Sequence, residues 1–99
     1  MRQLRQMLQR QPEDPFLLYG MAMEYKKAGD AGRALEYFDH VLRRDPNYCY
    51  AYYQRGLVYE SQGDIDAART AYREGIEAAD RSGDAHARGE LEAALDMLG

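Results

Sequence analysis

The sequence predicts an all-α protein in which two antiparallel helical hairpins lie between a helix at each end. The first observation is an internal repeat: when the 99-residue chain is shifted by 34 positions, residues 15–48 match residues 49–82. The second is that apolar residues within each copy recur at intervals of three and four, the spacing of one helix face. The third is a Gly-Asp pair at the same place in both copies. Each copy is therefore predicted to be two helices joined by a tight turn.

The first hairpin is predicted over residues 15–48. Its two apolar stripes are Leu18, Met21, Ala22 and Tyr25, and then Ala34, Leu35, Phe38, Val41 and Leu42. Between them, Gly29 suits the left-handed residue that ends a helix, and Asp30 suits the cap that starts the next one. Pro46 pushes the residue before it out of the helical region, so the second helix should end there.

The second hairpin is predicted over residues 49–82 and follows the same plan. Its stripes are Tyr52, Gly56 and Tyr59, and then Ala68, Tyr72 and Ile76. The pair Gly63-Asp64 again separates the two helices. Asp80 stands where the first copy has Pro46, so we expect the last helix of this hairpin to continue past Asp80.

The ends of the chain are predicted to be capping helices. Residues 1–14 align with the last part of a preceding copy, because Pro12 lies 34 positions before Pro46. Residues 83–99 form the C-terminal capping helix, in a shifted register, with Asp84 at its start. The apolar positions are Leu4, Met7 and Leu8 in the first helix, and Ala87, Leu91, Ala94, Leu95 and Leu98 in the last. By length, the whole chain 1–99 is one domain.

Composition excludes several classes of function. The chain has 13 Lys and Arg against 17 Asp and Glu, and a nucleic-acid partner would need a basic surface. No apolar run is long enough for a signal peptide or a membrane span, so we predict no membrane partner. One cysteine, Cys49, allows no internal disulfide, which fits a reducing compartment and a cytoplasmic location. The Arg-rich start has a transit peptide as its alternative interpretation, although the repeat register explains it better.

The repeat resembles the tetratricopeptide repeat (TPR) family. The residues that carry the resemblance are Leu18, Met21, Ala22, Tyr25, Ala34, Phe38, Val41 and Pro46 in the first copy, and Tyr52, Gly56, Tyr59, Ala68, Tyr72 and Gly75 in the second. The resemblance implies a right-handed α-α superhelix and a non-catalytic scaffold for protein–protein interaction. The chain departs from the family pattern at Arg55, which replaces an apolar residue, at Asp80, and in the last helix, where His86, Gly89 and Glu90 take core positions.

The tyrosines fall into two groups. Tyr25, Tyr52, Tyr59 and Tyr72 lie on the packed stripes and are predicted to be core. Other apolar side chains lie on the opposite side of the first helix of each hairpin, which lines the concave groove in TPR proteins. The predicted groove residues are Phe16, Tyr19, Met23, Tyr50, Tyr53 and Leu57, with Lys26 and Lys27 as polar anchors. We expect this patch to be exposed; the alternative is partial burial under the end helices.

The groove composition favours a hydrophobic or mixed peptide segment of another protein, with Lys26 and Lys27 adding a preference for an acidic flank. The alternative is self-assembly, in which the same patch or an open end of the repeat pairs two copies, so we expect a monomer or a weak homodimer. The acidic second half of the chain, residues 60–96, is either a solvated surface or a docking face for a basic partner.

No catalytic, cofactor-binding or metal-binding residues are predicted. His40 and Cys49 lie near one another in sequence, but the sequence has no Gly-rich nucleophile loop and no sign of an oxyanion hole beside them. His86 has no second nitrogen or sulfur ligand at the spacing that a helical metal site requires. The sequence therefore predicts that the protein is not an enzyme.

Overall fold

The computed structural model describes all residues from Met1 to Gly99 and contains six helices and no strand. The helices are α1 (Arg2–Arg10), α2 (Pro15–Lys27), α3 (Ala31–Arg44), α4 (Cys49–Ser61), α5 (Ile65–Ser82) and α6 (Ala85–Met97). The predicted all-α class is confirmed. The chain forms two compact units, Met1–Pro46 with α1 to α3 and Asn47–Gly99 with α4 to α6.

The hairpin turns form where the Gly-Asp pairs predict them. Gly29 and Gly63 have φ of 80° and 79°, in the left-handed region that a residue with a Cβ rarely adopts. Asp30 then caps α3 by accepting a hydrogen bond of 3.1 Å from the backbone N–H of Arg33. Asp64 caps α5 in the same way. Each turn thereby satisfies backbone groups that a helix end leaves without partners.

The second helices of the two hairpins end differently, as predicted. α3 stops at Arg44, and Asp45 is extended with φ of −141° and ψ of 91°, because Pro46 excludes the helical conformation before it. α5 has no proline at that place and runs past Asp80 to Ser82, where Gly83 ends it with φ of 71°.

In the first unit, α2 and α3 bury their facing stripes. Leu18, Met21, Phe38 and Val41 are each at most 2% exposed. α1 contributes no buried residue and packs on α2, where Leu4 lies over Gly20.

In the second unit, the ring of Tyr72 on α5 is fully buried against Gly56 on α4. A Cβ added at Gly56 would lie under 3.0 Å from ring carbons of Tyr72, so a side chain there does not fit. Gly75 is similarly enclosed, because its Cβ would lie 2.7 Å from Leu91 Cδ2 and 2.8 Å from Tyr52 Cβ. Because Gly56 and Gly75 have no side chain, α5 can approach both α4 and α6 closely.

Three of the four predicted core tyrosines are buried, Tyr25, Tyr52 and Tyr72. Tyr59 is only half-buried, so its assignment to the core is wrong, and its ring lies 5.9 Å from the guanidinium carbon of Arg55. Its neighbour Val58, 2% exposed, is buried instead. α4 is buried on more than one side, whereas a single apolar stripe predicts burial on one side only.

The hydroxyl of Tyr72 donates a hydrogen bond to a carboxylate oxygen of Glu60. Burial raises the pKa of the Tyr72 phenol far above its ordinary value of about 10, and the bond to Glu60 with its negative charge adds to the shift. The folded state therefore holds this proton at pH values where the unfolded chain releases it.

Gly56→Ala is predicted to destabilise the protein by about 1–3 kcal/mol, because the new methyl group clashes with Tyr72. The matched control is Gly89→Ala in α6, where an added Cβ meets nothing within 4 Å. That change should raise the free energy of unfolding by up to about 1 kcal/mol, since alanine favours the helix. Urea unfolding followed by circular dichroism measures both. Equal effects of the two substitutions would contradict the packing described for Tyr72.

Stability is predicted to fall as the pH rises above about 10, where unfolded tyrosines ionise and folded Tyr72 does not. In Tyr72→Phe this contribution is absent. The free energy of unfolding of the unmodified chain should fall more steeply than that of the variant, by up to about 1.4 kcal/mol per pH unit. Urea titrations of both proteins between neutral and strongly alkaline pH test this, and parallel pH profiles would show that the Tyr72 proton makes no such contribution.

Candidate protein-binding surface

One side of α2, here called the α2 face, carries Phe16, Tyr19, Met23, Lys26 and Lys27. Phe16, Tyr19 and Met23 are three or four positions apart, and Lys26 and Lys27 follow Met23 by three and four, so all five lie along the same side of the helix. Phe16 is 71% exposed, whereas Tyr19 and Met23 are half-buried. The predicted groove residues of the first unit therefore share one surface, with its most exposed aromatic side chain in the first turn of α2.

Tyr19 is held in place by the core of the first unit. Its ring meets the fully buried ring of Phe38 edge to face, with centroids 5.8 Å apart and planes at 62°. This is a favourable aromatic geometry, and it fixes the orientation of a side chain whose outer part reaches the surface. Tyr19 is consequently a pre-organised part of the α2 face.

The α2 face has a positive end. Lys26 and Lys27 lie in the last turn of α2, where a cation is stabilised by the helix dipole. Lys27 is exposed, whereas Lys26 is half-buried, and this burial lowers the pKa of its ammonium group. The exposed ammonium of Lys27 is therefore the more available of the two for an anionic group.

The corresponding side of α4, the α4 face, carries Tyr50, Tyr53 and Leu57, all half-buried. The rings of Tyr50 and Tyr53 are 6.5 Å apart at 68°, and the ring of Tyr53 lies 6.1 Å from that of buried Tyr72. Aromatic contacts thus connect the core of the second unit to this face. The structure groups the predicted residues into these two faces, one on each unit.

The C-terminal helix covers part of the α4 face. Burial raises the pKa of the Tyr50 phenol, and Glu90 on α6 raises it further through its charge and a hydrogen bond. Of the predicted groove residues, only Phe16 and Lys27 are exposed; the others are half-buried, so the expectation of an exposed patch is wrong for them. Partial burial under an end helix, the alternative drawn from the sequence, describes Tyr50.

Sequence reasoning did not identify Glu90 as part of this face. A signal was present, because Glu90 stands 34 positions after Gly56, at a place where the repeat has a buried small residue. A carboxylate at such a place needs polar partners, and it has them in Tyr50 and in His86, whose Nε2 lies 2.7 Å from Glu90 Oε1.

The two residues considered for catalysis lie in different units. His40 is half-buried on α3 in the first unit, and Cys49 is buried at the start of α4 in the second. The thiol of Cys49 lies 3.4 Å from the carbonyl oxygen of Asn47 and 3.8 Å from Ser82 Oγ, as in a packed structural cysteine. No group of three His, Cys, Asp or Glu residues is arranged to hold a metal ion. None of the six helices combines the length and the apolar character needed to span a membrane.

Comparison with known proteins agrees with this architecture. A family model described as tetratricopeptide repeat matches residues 19–85. A TPR repeat-containing protein of Pseudomonas aeruginosa is 32% identical over 95 residues, which covers 96% of this chain and 90% of that protein. The solution structure of a tetratricopeptide repeat domain protein from Salinibacter ruber has 38% identity and a TM-score of 0.82, covering 88% of each chain.

The solution structure of a protein from Bordetella parapertussis is also similar, with 29% identity and a TM-score of 0.84 over 98% of this chain and 84% of that one. Both the sequence match and the fold confirm the resemblance seen in the repeats. The chain belongs to the tetratricopeptide repeat family, whose members are generally protein–protein interaction modules.

Proposed function

We propose that this chain binds a hydrophobic or mixed peptide segment of another protein, with the α2 face and the α4 face as its contact surfaces. The observation that carries the proposal is Phe16, a large aromatic side chain left 71% exposed beside the anchored ring of Tyr19. Exposed aromatic and methionine side chains gathered on one helix face are typical of recognition surfaces.

Burial of Phe16 contributes directly to the expected binding energy. Removing the exposed part of a phenylalanine side chain from water contributes about 1–2 kcal/mol. Met23, further along the same face, offers a flexible thioether that adapts to differently shaped partner side chains. A partner segment with aliphatic or aromatic residues therefore suits the α2 face better than a uniformly charged one.

The two faces differ in how much must move on binding. Tyr19 and Tyr53 already rest on buried rings, so little conformational freedom is lost when a partner covers them. At Tyr50, a partner competes with the hydrogen bond to Glu90. We therefore assign Phe16 and Tyr19 as the primary contacts and Tyr50 as a secondary contact.

The positive end of the α2 face favours a partner segment with an acidic residue beside its apolar part. Lys27 is exposed, so its pairing with a carboxylate carries only a small desolvation cost. Such a rim contact raises the association rate and selects orientation more than it raises affinity. We place this non-catalytic function in the cytoplasm, where a reducing environment suits the free thiol of Cys49.

Phe16→Ala is predicted to abolish most peptide binding while leaving the fold intact. Because Phe16 is exposed, the free energy of unfolding should change by no more than about 0.5 kcal/mol. Binding should weaken at least about tenfold, as expected for an aromatic anchor. The probe is the consensus peptide recovered by panning a phage-displayed random-peptide library against the chain, with affinity measured by calorimetry.

The matched control is Ile65→Ala, which removes an apolar side chain that is 40% exposed at the start of α5, outside both faces. Its affinity should equal that of the unmodified chain. Equal weakening by both substitutions, or retained affinity in Phe16→Ala, would contradict the assignment of the α2 face. Failure of panning to enrich any sequence would contradict peptide binding itself.

A further inference from the structure

The α4 face is bordered by negative charge from α6, which packs on α4. Glu90 of α6 is hydrogen-bonded to Tyr50, and its Oε1 lies 2.7 Å from His86 Nε2. The side chain of Glu90 is 41% exposed, so its carboxylate is accessible to a group that binds beside Tyr50. Asp84, the residue that caps α6, is close enough for its charge to act on Tyr50 as well. The polar groups of the α4 face are therefore acidic, whereas those of the α2 face are lysines.

Glu90 can accept a further hydrogen bond. An ionised carboxylate has two oxygens with about four acceptor positions, and Tyr50 and His86 use only part of them. His86 is 79% exposed, so its pairing with Glu90 contributes little and is readily exchanged. A basic group can thus bind Glu90 while Tyr50 keeps its hydrogen bond, whereas an apolar group at Tyr50 competes with that bond.

The rings of Tyr50 and Tyr53 also favour a cation. They meet edge to face, 6.5 Å apart at 68°, and both side chains are half-buried, so part of each remains accessible. The face of a phenol ring carries partial negative charge and attracts a cation placed over it. The same helix already shows such a contact, because the guanidinium carbon of Arg55 lies 5.9 Å from the ring centre of Tyr59.

The charge of the whole second unit acts in the same direction. Residues 47–99 contain ten acidic and five basic residues, a net charge of −5. Residues 1–46 contain seven acidic and eight basic residues, a net charge of +1. The field of the second unit therefore attracts a basic group and repels an acidic one. The accessible carboxylate beside two rings gives that attraction a definite position.

We propose that Tyr50, Tyr53 and Glu90 form a subsite for a basic side chain of the bound peptide segment, with the two rings contacting the side chain and Glu90 opposing its charge. This inference rests on the peptide-binding function proposed above and adds to it the chemistry of one partner residue. Arginine suits the subsite better than lysine, because a planar guanidinium stacks on aromatic rings and donates parallel hydrogen bonds to a carboxylate. An acidic side chain at that position is repelled by Glu90.

The test uses the consensus peptide that panning recovers against the unmodified chain, which should contain a basic residue. That residue is replaced by its neutral isostere, citrulline for arginine or acetyl-lysine for lysine, and affinity is measured by calorimetry. The replacement should weaken binding to the unmodified chain about fivefold. In Glu90→Gln the same replacement should cost about twofold or less, since the opposing charge is gone. Glutamine keeps the size of Glu90 and an oxygen that accepts from Tyr50.

The control variant is Glu92→Gln, which removes the same charge from the same helix. Glu92 is exposed and pairs with Arg88 at 2.6 Å, outside the subsite. The neutral isostere should lose about as much affinity for this variant as for the unmodified chain. Thermal melting of both variants separates loss of binding from loss of fold.

The possible failures are distinguishable. A consensus peptide without a basic residue, or an equal loss of affinity in the unmodified chain and in Glu90→Gln, overturns the subsite and leaves peptide binding in place. A loss that disappears equally in Glu92→Gln also overturns it, because general charge attraction then explains the preference. If panning enriches no sequence, the subsite falls together with the proposed function.

Discussion

One packing contact sets the geometry of each unit. An aromatic ring on the second helix of the hairpin packs closely against a residue with little or no side chain on the first helix. In the second unit the pair is Tyr72 on Gly56, where no side chain fits. In the first unit the repeat places Phe38 and Ala22 at the same positions, and both are 0% exposed. The ring fills the space between the two helices, so it fixes both their separation and their rotation.

The candidate binding faces depend on the same two rings. Tyr19 rests edge to face on Phe38, and Tyr53 packs against Tyr72. The outer aromatic side chains are therefore oriented by the core, which links the stability of each hairpin to the shape of its exposed face. Phe16 lies beyond this support and is the most exposed aromatic side chain of the α2 face. Tyr19 and Tyr53, which are held by buried rings, can be covered by a partner with little loss of conformational freedom.

The sequence predicted the helices well because their ends depend on local chemistry. Gly29-Asp30 and Gly63-Asp64 form the two hairpin turns, and the absence of proline at Asp80 lets α5 continue. Burial was less predictable, because it depends on contacts between helices that are distant in sequence. The helical spacing placed Tyr59 in the core and Tyr50 at the surface. Instead Tyr59 is half-buried, and Tyr50 is partly covered by α6 through Glu90, a contact set by the shifted register of that helix.

The central claim is that the first helix of each hairpin is the recognition surface, oriented by the aromatic core behind it. The most direct test is an NMR titration of the isotope-labelled chain with the consensus peptide, in which the amide shifts of every helix are followed together. The account predicts the largest shifts along α2 from Phe16 to Lys27, with further shifts along α4 from Tyr50 to Leu57, and small shifts on the exposed sides of α3 and α5. Shifts that concentrate on α5 and α6 instead would contradict it.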